Sequence, residues 1–292
     1  MKEFRDQVAV VTGAASGIGR ALVDRFAAEG MKIVLADIEV GALAKAKGEL
    51  EAMGAEVLAV ATDVSKPEEI EALAAKTLAA FGAVHLVCNN AGVAATGPLW
   101  ERSLADYEWV LGVNLWGVIH GIRTFVPILL DQDTGGHIVN TASLAGLTIV
   151  PGNGIYQISK HGVVALSESL HFDLAQRGAK VRVSVLCPSF VRTAILDSER
   201  NRPAHLAASQ EGGATTAAGL PEELVRQLIA SGLEPTQVAQ KVFEAIRDEK
   251  FWILTHPEAK HRIRDRMEAI LEDRNPEFSL GAALARDGLD GK

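Results

Sequence analysis

The sequence predicts an α/β protein: an open, doubly wound sheet of seven parallel strands flanked by helices. Three observations point there. Short continuous runs of β-branched and apolar residues recur along the chain. Such runs suit strands buried on both faces, as parallel strands are. Longer stretches with apolar residues at helical spacing lie between them. A glycine-rich turn, TGAASGIG (12–19), joins the first run to the first helical stretch.

The predicted strands, in order, are VAVVTG (8–13), KIVLAD (32–37), VLAVATDV (57–64), VHLVCNNAG (84–92), HIVNTAS (137–143), VRVSVLCPS (181–189) and FWILTH (251–256). The intervening helices carry their own signals. RALVDRFAAEG (20–30) places Leu22, Val23, Phe26 and Ala27 on one face, with Gly30 to end it. KPEEIEALAAKTLAAFG (66–82) has Pro67 and two acids in its first turn. A helix over 155–178 begins IYQISK. Strand–helix alternation implies right-handed crossovers and one domain, 1–275. Residues 194–234 break the rhythm and include AASQEGGATTAAG (207–219). This stretch is expected to be a substrate-covering lid, with a disordered insert as the alternative. Residues 276–292 are expected to form a frayed tail.

Composition narrows the function. Of 292 residues, 48% are hydrophobic and 23% charged, enough for a sizeable core. The net charge of -8 argues against nucleic acid or an anionic membrane as the partner. No apolar run approaches the roughly 18–20 residues that span a bilayer, and the N-terminus lacks a signal-peptide pattern. Cys88 and Cys187 read as buried thiols, and the expected location is cytoplasmic. The eight histidines are scattered without ligand spacing, so no metal is expected.

The glycine turn is the first candidate site. Gly13, Ser16, Gly17, Ile18 and Gly19 place backbone N–H groups and a helix N-terminus where a phosphate can approach closely. Asp37 ends the second strand, where an acid can accept both adenosine ribose hydroxyls. Its charge opposes a 2′-phosphate, and Ile38 and Glu39 follow without a cation. The predicted cofactor is therefore NAD rather than NADP. Asp63 and Val64 close the third strand, within reach of an adenine. Asn89, Asn90, Ala91 and Gly92 close the fourth, the asparagines suited to tying strand ends and Gly92 to leaving room. Open α/β sheets bind ligands beyond these carboxyl ends.

Tyr156 and Lys160 fall one turn apart on a helix face. A tyrosine titrates near ~10, and a neighbouring ammonium is expected to lower that value. Such a phenol can take a proton from an alcohol or return one to a ketone. Ser143, at the end of the fifth strand, can hold the substrate oxygen beside it.

This ordered set resembles the short-chain dehydrogenase/reductase family, strongly over roughly residues 6–195. The resemblance implies a single-domain Rossmann-type fold. It assigns Tyr156 as general acid/base and Ser143 as positioner of the substrate oxygen. It makes Lys160 the residue that binds the nicotinamide ribose and lowers the tyrosine pKa. It adds Asn114, in VNLWG (113–117) within a helix over about 103–131, to hold a proton-relay water. Pro188 and Thr193 match cofactor contacts after the sixth strand, although Ser189 stands where the family often has glycine. A homodimer or homotetramer is implied. Ala94, Ala95, Leu144–Leu147, Val150–Asn153, Phe190, Ile195 and Leu196 are expected around a mostly apolar pocket. Arg192 is the nearest candidate cation, with a surface position as the alternative. Bulky uncharged secondary alcohols or ketones fit such a pocket. Several stretches look like bacterial enzymes that oxidise lignin-type benzylic alcohols; hydroxysteroid, terpenoid and acyl-chain alcohols are the alternatives. A non-catalytic NAD-binding regulator and a nucleotide-sugar epimerase are rival readings from other classes.

Overall fold

A computed structural model describes residues 1–207 and 222–278. The sheet contains β1 (Val8–Thr12), β2 (Lys32–Asp37), β3 (Val57–Ala61), β4 (Leu86–Asn89), β5 (Gly136–Thr141), β6 (Val181–Cys187) and β7 (Trp252–Leu254). Their order is β3-β2-β1-β4-β5-β6-β7, and every pair is parallel. This is the seven-stranded, doubly wound sheet expected. The strand runs are apolar throughout because both faces are covered. In β1, Ala9 and Val11 join one core cluster while Val8 and Val10 join the other.

On one face lie α1 (Gly17–Ala28), α2 (Val40–Ala52) and α8 (Pro235–Arg247). The other carries α3 (Pro67–Phe81), α5 (Gly117–Gln132) and α6 (Gly154–Gln176). The remaining helices are α4 (Leu104–Leu111), α7 (Glu222–Ala230) and α9 (Lys260–Leu271). Local signals account for several ends. Pro67 opens α3, and Gly82 ends it at φ +76°, a conformation glycine adopts without steric penalty. Ser103 and Asp106 form a reciprocal capping box at α4.

Two expectations are corrected here. The helix over 103–131 is interrupted by a π turn at Gly112–Trp116, so Asn114 sits in a widened turn. The combined helix Leu104–Gln132 is also long and apolar enough, by length and composition, to cross a membrane. No single uninterrupted run reveals this, because polar residues break it up. Its Val110, Val118, Phe125 and Leu129 are buried among the other elements.

Successive crossovers run in opposite directions from β1, toward β2 on one side and β4 on the other. The crevice this leaves at the carboxyl ends is where such sheets bind ligands. Part of the expected lid, 208–221, and of the tail, 279–292, lies outside the described residues.

Candidate active site

A cleft of about 830 Å³ opens over the carboxyl ends of the strands. All the sequence-predicted site residues line it except Gly19, Asn89 and Asn114. Gly13 has φ +64°, and a Cβ there would lie 2.9 Å from Ala91 Cα. A Cβ on Gly19 would lie 2.0 Å from Gly13 O. The turn therefore folds tightly against the end of β4, and side chains on it would push the strands apart. Ser16 does not cap α1 with its side chain, and no acid occupies the first turn. Amides and positive dipole end are thus available to a phosphate. The bare backbone and free amides fit a dinucleotide.

Asp37 is buried, and each of its oxygens already accepts one backbone donor. Ala15 N–H reaches Oδ2 at 2.9 Å and Glu39 N–H reaches Oδ1 at 3.0 Å. A carboxylate has about four acceptor positions, so each oxygen keeps capacity for a ribose hydroxyl. The residue also fixes the glycine turn to β2, a duty the sequence does not announce. Asp63 Oδ1 accepts from Ser65 N–H at 3.0 Å and Ser65 Oγ at 2.6 Å, and so shapes its own turn as well. Asn89 and Asn90 do tie strand ends. Asn89 Nδ2 donates to Asn140 Oδ1 at 2.8 Å, and Asn90 Nδ2 to Thr12 O at 3.0 Å. Thr12 completes the joint, its Oγ1 accepting from Asn90 N–H and Ala91 N–H at 2.9 and 3.1 Å. A Cβ on Gly92 would sit 3.4 Å from Asn114 Oδ1 and 3.6 Å from Lys160 Nζ, so this turn packs directly on the buried lysine and asparagine at ordinary contact distance.

The strand β5, the helix α6 and the π turn bring the remaining groups together. Ser143 follows β5, where its Oγ accepts from Ala145 N–H at 3.1 Å and donates to Pro188 O at 3.3 Å. Lys160 is almost fully buried, and its Nζ donates to Thr141 O at 2.9 Å. That nitrogen lies 5.5 Å from the centre of the Tyr156 ring. Asn114 Oδ1 accepts from Val93 N–H at 2.8 Å, while Nδ2 donates to Val93 O at 2.9 Å and to Ser159 Oγ at 3.1 Å. Its amide is therefore committed to protein partners.

The electrostatics correct one expectation. Burial raises the Tyr156 phenol above its ordinary value, and the Ser143 hydroxyl opposes that rise. Lys160 is itself pushed down to about 8, chiefly by burial. Desolvation of both groups outweighs the attraction anticipated from their spacing.

The chain after β6 crosses the cleft. Thr193 lies against Gly17, whose Cβ would meet Thr193 Cγ2 at 3.1 Å. Ser189 lines the cleft without positive φ, and its N–H donates to His256 Nδ1 at 3.2 Å. The 3-10 helix Ile195–Asn201 is anchored by buried Ser198, whose Oγ accepts from Ala94 N–H at 3.1 Å. Arg202 is buried, pairs with Asp106 at 2.6 Å and lies 4.9 Å over Trp109. Arg192 is on the surface, bonded to Ala230 O at 2.8 Å and paired with Glu234. The cations that do line the cleft include Arg200 and Arg262. Of the expected pocket residues, Ala95, Gly146, Leu147, Pro151 and Gly152 do not line it. Gln157 does, buried beside Tyr156 with no partner for its amide nitrogen among the described residues. Its helical spacing of three from Gly154 and Lys160 was a usable signal; nothing marked Ser198 or Arg200. Among the described residues, no three His, Cys, Asp or Glu side chains group as metal ligands.

Comparison with known proteins agrees with this architecture. The family model described as short chain dehydrogenase matches residues 7–204. The CLA biosynthesis dehydrogenase/reductase of Lactiplantibacillus plantarum is 35% identical, covering 96% of this chain and 98% of its own. The C alpha-dehydrogenase of Sphingobium sp. SYK-6 is 34% identical, covering 94% and 89%. A short chain dehydrogenase/reductase from Burkholderia phymatum, solved in complex with NAD, is 49% identical, covers 96% and 99%, and superposes with a TM-score of 0.91. The chain belongs to the short-chain dehydrogenase/reductase family and is an oxidoreductase of alcohols and ketones.

Proposed function

We propose that this protein is an NAD-dependent dehydrogenase of bulky, largely apolar secondary alcohols, with Tyr156 as its general acid/base. The observation that carries the reading is the gathering of Tyr156, Lys160 and Ser143 in the cleft that also holds the glycine turn and Asp37. The Burkholderia phymatum relative's NAD complex supports the cofactor class.

Gly13–Gly19 and the N-terminus of α1 would hold the pyrophosphate, Asp37 the adenosine ribose, and Asp63 and Val64 would border the adenine. Asn90, Gly92, Pro188 and Thr193 would hold the nicotinamide half, and Lys160 would bind its ribose. When bound, NAD supplies the hydride acceptor at nicotinamide C4. Ser143 Oγ, between Ala145 N–H and Pro188 O, orients the substrate oxygen toward the phenol. Tyr156 takes the hydroxyl proton of an alcohol, or gives one to a ketone. Burial raises its phenol, so proton abstraction from an alcohol requires positive charge nearby. Lys160 supplies that charge below about pH 8, where it is protonated. The π turn places Asn114 between Val93 and Ser159, behind Lys160, where it fixes the loop after β4. Both of its amide protons are spent on Val93 O and Ser159 Oγ, so a relay water held by this side chain would donate to the second lone pair of Oδ1.

Trp109, Val150, Phe190, Ile195, Leu196 and Leu206 give the cleft apolar lining. It suits an aryl secondary alcohol, the class the resemblance to C alpha-dehydrogenases points to. Acyl-chain alcohols are the second reading, favoured by the equal likeness to the CLA biosynthesis enzyme. Trp116, Ile158 and Phe172 leave apolar side chains exposed along the π turn and α6; they support a homodimer or homotetramer. Two buried free thiols suit a cytoplasmic location.

The test is NADH formation from aryl, steroid, terpenoid and acyl-chain secondary alcohols, supplied with NAD+ or NADP+ separately. The expected result is turnover with NAD+ and one bulky class. Turnover with NADP+ alone would refute the cofactor assignment; turnover of short aliphatic alcohols alone would refute the substrate class.

A further inference from the structure

Glu39 is the first residue beyond the ribose-binding end of β2 to carry a charge, and it stands at the N-cap of α2. An acid in that position ordinarily turns toward the helix amides. Here it makes no such bond. Its Oε1 instead accepts from Arg200 Nη2 at 2.6 Å and from Asn201 Nδ2 at 2.9 Å. Both partners lie on the 3-10 helix that crosses the cleft, more than 160 residues further along the chain. Arg200 is also fixed by Asp197 O, which accepts from Nη1 at 2.8 Å. These bonds hold the Glu39 carboxyl below the usual carboxylate range, so it stays charged throughout the neutral region.

The ion pair puts a cation at the Asp37 end of the cleft, where the sequence around β2 offers none. Glu39, Arg200 and Asp37 all line it. Lys66, another cation lining the cleft, is taken up by Asp63 and Glu69 at 3.6 and 3.1 Å. A guanidinium is the preferred protein partner of a phosphate. Left free, Arg200 would create an NADP site together with the N-terminal amides of α2.

We infer that Glu39 determines cofactor specificity by sequestering Arg200: the pair withholds from a 2′-phosphate a guanidinium that lines the Asp37 end of the cleft. Asp37 repels the 2′-phosphate directly; Glu39 removes the group that would offset that repulsion. The inference rests on the NAD reading above. It differs from it in making selectivity a property of two segments, β2 and the strap after β6.

The test measures binding of NADH and NADPH by fluorescence titration, without substrate, to the wild type, Glu39→Gln, Arg200→Gln and the double variant. Glu39→Gln keeps the shape and removes the charge. The ratio of NADPH to NADH dissociation constants is expected to fall by about tenfold or more, the worth of one charge-assisted hydrogen bond. Arg200→Gln alone should leave the ratio within about twofold, and adding it to Glu39→Gln should cancel the gain, as a coupled pair requires. A gain that survives in the double variant would show that Glu39 acts by its own charge and overturn the inference, as would no gain in Glu39→Gln. The coupling is a difference of differences, so it is read independently of the wild-type preference. A wild type that binds NADPH as tightly as NADH would overturn the NAD reading alone.

Discussion

Tyr156 and Lys160 sit one turn apart, yet in the cofactor-free protein burial dominates both. Lys160 is an ammonium with one hydrogen bond, to Thr141 O, in a nearly sealed position. Its folded pKa, about 8, lies below the ordinary 10.5. The unfolded chain therefore binds the proton more tightly. The resulting loss of stability is complete below about pH 8 and disappears as pH rises through the ordinary value. Lys160→Met is predicted to abolish turnover while raising the unfolding free energy of the cofactor-free protein by about 1–2 kcal/mol at pH 7. Urea denaturation checks this; a less stable variant would mean that the Thr141 contact outweighs desolvation. Asp37 carries a second residue-scale expectation. Because its carboxylate holds Ala15 N–H and Glu39 N–H, Asp37→Ala should do more than relax the choice between NAD and NADP. It should weaken NADH binding by about tenfold or more, the loss of charge-assisted hydrogen bonds to the turn and ribose. Calorimetric titration reads it, and unchanged NADH affinity would contradict the structural duty assigned here. The tyrosine–lysine spacing was legible in the sequence. The direction of the tyrosine shift was not, since spacing reports proximity and desolvation depends on what packs above.

At the scale of elements, the parallel strands were easily read because burial on both faces makes their sequences continuously apolar. The ends of α1 and α3 were readable from Gly30, Pro67 and Gly82. The π turn was not, because one extra residue in a turn leaves composition and apolar spacing of 103–131 almost unchanged. The Glu39–Arg200 and Ser198–Ala94 contacts were invisible because they join segments far apart in the chain. The core side of β5 holds another hidden device. His137 is fully buried, with Nε2 2.7 Å from Ser184 Oγ. Ser184 Oγ in turn donates to Lys250 O at 2.6 Å, so it accepts from His137 Nε2–H. The other ring nitrogen, Nδ1, then carries no proton and has no partner among the described residues. Burial pushes this histidine down to about 3. The unfolded chain takes up the proton near ~6.5, so stability is full above that value and falls as pH drops toward 3. At pH 5 the loss is predicted to be about 2 kcal/mol. Comparing the pH dependence of unfolding in wild type and His137→Gln tests it: the variant should show a shallower decline between pH 6.5 and 4. Equal slopes would assign acid lability elsewhere.

Over the whole molecule, the sheet order places every candidate group at one edge, the carboxyl ends of β1 to β6, and the chain after β6 returns across that edge. The cleft is thus assembled from a scaffold that the sequence announces and a cover that it barely hints at. The scaffold's chemistry follows from residue types at strand ends; the cover's depends on contacts such as Arg202 with Asp106 and Trp109. On the proposed function, this cleft transfers a proton through Tyr156 while the cofactor carries the hydride. The most direct measurement pairs steady-state NADH formation with NADH binding in Tyr156→Phe, using whichever secondary alcohol the wild type oxidises. Turnover is expected to fall by about a thousandfold, within the usual range for a general acid/base, with NADH affinity held within about threefold. Turnover within tenfold of the wild type, at unchanged NADH affinity, would contradict the proposed function.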